Sequence, residues 1–263
     1  TNTETGSKMI EELNNSSTDT ENDLSLQVIS AISVKDTTKL NTLSENNKEQ
    51  IDTLTQSAVK NAGSSQESAD LIAQVIANAS DDFTNQIIGE VTKNSIDENQ
   101  ALSAKVMKSI VETTPDKVEN LSDENKDKLI SQTIEAAKNQ AEGTSSDELD
   151  LSNTIAEIVT NSDTGTAAKV LESLEEVSND SDSKLSLSVV SNLTKQENYE
   201  EKMEILSVTS SVVDQSINTL IEKAIENASS EEDLELVTDI VENSKGTIGD
   251  KLVNSANKNE ERK

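Results

Sequence analysis

The chain has 263 residues, with 51 acidic against 22 basic side chains and a formal net charge of -29. That balance argues against nucleic acid and anionic membrane surfaces as partners, since both are held by clustered Lys and Arg. There is no Cys and no His, which removes disulfides, thiolate metal sites and the commonest general base and metal ligand.

High charge and low apolar content favour disorder, but the apolar residues here recur at regular spacing. Taken in chain order, TGSKMIEEL (5–13) resembles the later TGTAAKVLESL (164–174), with Met9 and Ile10 at the places of Val170 and Leu171. LSLQVISAI (24–32) reads as a strand by its alternation and as a helix by its Leu24, Val28, Ile32 spacing. Its second copy, LSAKVMKSI (102–110), decides for a helix. Lys105 and Lys108 break the alternation there, while Leu102, Val106, Met107 and Ile110 keep the helical stripe. The third copy is LSLSVVSNL (185–193).

IDTLTQSAVKNA (51–62) returns at 129–140 and 217–228, QVIANAS (74–80) at 157–163 and 239–245, and QIIGEV (86–91) at 169–174 and 251–256. Between these phrases the pattern predicts helices over 68–79, 83–94, 99–113 and 122–140, with an extra turn at 115–120. Ser64 with Glu67, Ser145 with Glu148 and Ser229 with Glu232 have capping-box spacing. Pro115 suits the first position of a helix.

Leu71 to Leu151 is 80 residues and Leu151 to Leu234 is 83. The expected fold is therefore all-α: tandem helical repeats of about 80 residues, about four short helices each, stacked as an α-solenoid or strung as small four-helix bundles. The repeat boundaries fall at 1–70 (partial, starting mid-repeat), 71–150 (full), 151–233 (full) and 234–263 (partial, with a polar tail). The chain begins and ends in the same phase of its own repeat. This predicts a segment of a longer array, or ends covered by other copies.

The search for chemistry gives no catalytic, cofactor-binding or metal residues. No GxGxxG or P-loop spacing occurs among the seven Gly. Asp81 and Asp82, or Asp147, Glu148 and Asp150, offer oxygens for calcium, but acidic residues at helix starts are explained by capping and the helix dipole. The acidic polar faces and small Ala and Val residues suit packing against sister helices better than lipid. Phe83 reads as local core. Tyr199 lies in the insertion KQENYEEK and reads as exposed. The Trp-Leu-Gly-Tyr and TPLH phrases of tetratricopeptide and ankyrin repeats are missing.

The expectation is a non-enzymatic structural segment of an acidic extracellular or surface array: a spacer, stalk, filament or coat, adhesin-like in character. Its partners are its own repeats or other copies end to end, with no cofactor, no nucleic acid and no membrane insertion. The alternative is an α-solenoid scaffold for a partner protein or peptide.

Overall fold

The computed structural model describes residues 8, 12–13, 24–35, 38, 41–42, 48–61, 65–94, 100–143, 149–178, 184–228, 230–244 and 249–250. The described residues form helices and turns, with no strand. In chain order the helices are α1 (Leu24–Lys35), α2 (Lys48–Asn61), α3 (Gln66–Asn78), α4 (Asp81–Asn94), α5 (Gln100–Thr113), α6 (Pro115–Glu119) and α7 (Asp123–Ala141). They continue as α8 (Leu151–Asn161), α9 (Thr164–Ser178), α10 (Lys184–Lys195), α11 (Tyr199–Thr209), α12 (Ser211–Asn227) and α13 (Glu231–Asn243). The all-α expectation holds, and the strand reading of LSLQV fails for all three copies: they are α1, α5 and α10.

The helices start at polar caps, but not at the serines expected. Ser65, not Ser64, caps α3 by accepting from the Ser68 amide at 3.1 Å. Ser230, not Ser229, caps α13 in a full capping box, its reciprocal partner being Asp233 rather than Glu232. Asp150 caps α8 by accepting from the Asn153 amide at 3.0 Å. Ser64, Ser145, Glu148 and Ser229 lie outside the described residues. Pro115 sits at the start of α6 as expected. Gly143, with φ 71°, takes the left-handed position that stops α7.

The chain divides into two compact units, residues 1–132 and 133–263. In the first unit α1 packs on α3 and α3 on α5, while α2 packs on α4. In the second unit α8 packs on α10 and α10 on α13, while α9 packs on α12. The helices of these pairs lie two or three places apart in the chain, an arrangement compatible with an α-solenoid. The reason lies in the stripes: Ile72, Val75 and Ile76 of α3, and Ile155, Ile158 and Val159 of α8, are all buried. Each such side chain contributes about 1.5–3 kcal/mol when removed from water, and helices of 11 to 14 residues need that support.

The helix ends fix a shared register. The C-caps of α3, α8 and α13 are Ala79, Ser162 and Ser244, so 83 residues separate the first two and 82 the last two. Ile76, Val159 and Val241 therefore hold one position. α8 starts later relative to that register, so matching Leu71 with Leu151 is replaced by matching it with Thr154.

Candidate functional site: the joints between stacked helices

The polar side chains that the structure brings together lie mostly at joints between helices. On α3, Asp70 Oδ1 accepts from Ser109 Oγ of α5 at 2.7 Å, and Gln66 Nε2 donates to the same hydroxyl at 3.1 Å. In the second unit Asn192 of α10 donates to Ser152 Oγ of α8 at 2.9 Å, and Gln196 Nε2 donates to Asn153 Oδ1 at 3.1 Å. Asp70 and Asn153 hold the same register position, as do Ser109 and Asn192, but they bond to different partners: Asp70 meets Ser109, whereas Asn153 meets Gln196 and Asn192 meets Ser152.

A second kind of joint alternates with the first. Ser30 of α1 donates to Gln74 of α3, and Lys195 of α10 donates to Asp239 Oδ2 of α13 at 2.7 Å. Gln74 and Asp239 are again in register. The other helix layer is tied likewise. Gln86 donates to Asp52 at 2.6 Å, Asn125 to the Asn85 carbonyl at 2.8 Å, and Ser216 to Glu175 at 2.8 Å.

A lysine bolts the connection after the joint. Lys117 Nζ, from α6, donates to the carbonyl of Ala79, the C-cap of α3, at 2.6 Å, with Asp81 3.4 Å away. Lys202 Nζ, from α11, donates to the carbonyl of Ser162, the C-cap of α8. A helix C-terminus presents unpaired carbonyls, and a cation there also meets the negative end of the dipole. Burial pushes the Lys202 ammonium below the ordinary lysine range, and the nearby Asp163 carboxylate opposes that shift. These lysines were not singled out in the sequence. Their signal is the matching phrases Lys117-Val118-Glu119 and Lys202-Met203-Glu204, in which Val118 and Met203 are both buried.

Phe83 is buried in the local core as expected. Tyr199 is also buried, against expectation, and its hydroxyl donates to the Asn243 carbonyl at 2.8 Å. Its insertion folds as α11, whose first residue turns under the end of α13 rather than into water. Asp81 and Asp82 are exposed in the first turn of α4, and Asp150 serves as a cap. Asp147 and Glu148 lie outside the described residues. Among the described residues no group of three or more metal-ligating side chains is placed to hold an ion, and no helix is long and apolar enough to cross a membrane.

Ser109 and Ser216, each hydrogen-bonded to a carboxylate of another helix, are both buried at joints. No family model, no curated protein and no solved structure matches the chain. What the arrangement does chemically is hold one helix to the next through buried and half-buried polar contacts.

Proposed function

We propose that the protein is a non-enzymatic structural segment of an acidic extracellular or surface array, serving as a spacer, stalk, filament or coat of adhesin-like type. One observation carries this reading: at both the α3–α5 and the α8–α10 joint the position of Asp70 and Asn153 and the position of Ser109 and Asn192 make hydrogen bonds across helices, though to different partners, and each joint is followed by a lysine bolt. Side chains used this way set geometry. They fix the step from one helix to the next, and the negative surface keeps the stack soluble and discourages nonspecific association.

Immunogold labelling of intact source cells, with an antibody raised against the folded chain, tests the proposal. It predicts label on the outer surface or on appendages. Label that appears only after permeabilisation would overturn it.

A second reading, a scaffold for a partner protein or peptide, is favoured by a different feature. Ile205 and Val208 of α11 and Val212 of α12 are exposed, Val208 at 84%. On that reading Val208→Asp abolishes co-purification of a specific partner and leaves the helicity of the chain unchanged.

A further inference from the structure

Two helices carry apolar side chains at positions that are closed elsewhere. Val241 of α13 is 60% exposed, whereas Ile76 of α3 and Val159 of α8, at the same position, are fully buried. Leu234 is 57% exposed, where Ala69 is fully buried. α3 is covered by α5 and α8 by α10, both of the LSxxV type. Among the described residues no such helix covers the matching face of α13. The complementary edge is on α1, itself of the LSxxV type. Val28 and Ile32 of α1 are half-buried, while Val106 and Ile110 of α5, and Val189 and Leu193 of α10, are buried.

We propose that the open faces of α13 and α1 are the two halves of one joint, closed when a second copy of this chain docks head to tail. The α8–α10 joint is the template for its contacts; at the α3–α5 joint the position of Glu235 is held by Asp70, which meets Ser109 instead. Asn153 and Gln196 are hydrogen-bonded at the α8–α10 joint. The same register puts Glu235 in place of Asn153 and Lys35 in place of Gln196. Both are exposed, and their charges are opposite. Where Ser152 meets Asn192, the joint between copies brings Leu234 against Ala31, and both are exposed in the single chain. An apolar contact thus replaces a polar one, rimmed by an ion pair that sets orientation more than affinity. The contact is heterologous, so each added copy leaves a fresh α1 face and a fresh α13 face, and growth continues unless a ring closes.

The proposal rests on the structural reading above, but the two fail separately. A surface-labelled chain that does not associate removes the docking and leaves the array. The test is sedimentation velocity of the full chain over a concentration series, with circular dichroism to show that each variant is folded. The wild type is expected to grow past dimer with concentration. Lys35→Glu and Glu235→Lys each weaken association at least about tenfold. Mixing the two variants restores it, because copies that alternate again set unlike charges against each other at every joint. Val34→Glu leaves it unchanged. Val34 is 55% exposed, but its counterparts Glu112 and Lys195 stay exposed beside closed joints. A wild type that stays monomeric at its highest soluble concentration overturns the proposal, as does assembly that Lys35→Glu leaves intact.

Discussion

At the scale of single residues, the account assigns cost by register position rather than by residue type. Ile76 is enclosed by its neighbours, so Ile76→Ala is expected to cost about 2–5 kcal/mol. Val241 holds the matching position with its face open, so Val241→Ala in dilute chain stays within about 0.5 kcal/mol. Urea unfolding of the two variants measures both. The lysine bolts give a second pair of expectations. Lys202→Met strands the buried Ser162 carbonyl and costs about 1–3 kcal/mol. The Lys202 pKa is lowered on folding, so in the window below the ordinary lysine range the unfolded chain keeps a proton that the folded one has released. Stability from this group therefore rises as pH climbs through that window and is least below it. Lys202→Gln should remove that rise from the pH dependence of unfolding.

At the scale of helices, much was legible in the sequence. The expected helices 68–79, 83–94, 99–113 and 122–140 correspond to α3, α4, α5 and α7, with every boundary within two residues. Apolar spacing reports the buried stripe directly, and in the first unit that stripe is spent on neighbouring helices. The caps were less legible, because adjacent serines offer alternatives and the backbone chooses between them. Ser65 and Ser230 are the caps because each stands in extended backbone directly before the first helical residue. Ser230→Ala is expected to cost about 1 kcal/mol, measurable as a shift in the unfolding midpoint. The joints were least legible. Phrase similarity shows a period near 80, but the hydrogen bonds across these joints span 34 to 44 residues. Two kinds of joint alternate, so like phrases return only at every second step. Tyr199 was misjudged for a related reason: its insertion has no copy to compare with, and its cover comes from distant α13.

At the scale of the molecule, charge and geometry dominate. A formal net charge of -29 repels itself in the folded state, and salt screens that repulsion. The melting temperature should therefore rise with sodium chloride, as read by thermal unfolding at constant pH. The central claim is that the polar side chains at the joints serve to hold one helix to the next, and a double-mutant cycle on Asp70 and Ser109, followed by urea unfolding, tests it most directly. The account predicts that the losses from Asp70→Ala and Ser109→Ala are not additive, with a coupling of about 0.5–3 kcal/mol. Losses that simply add would contradict it.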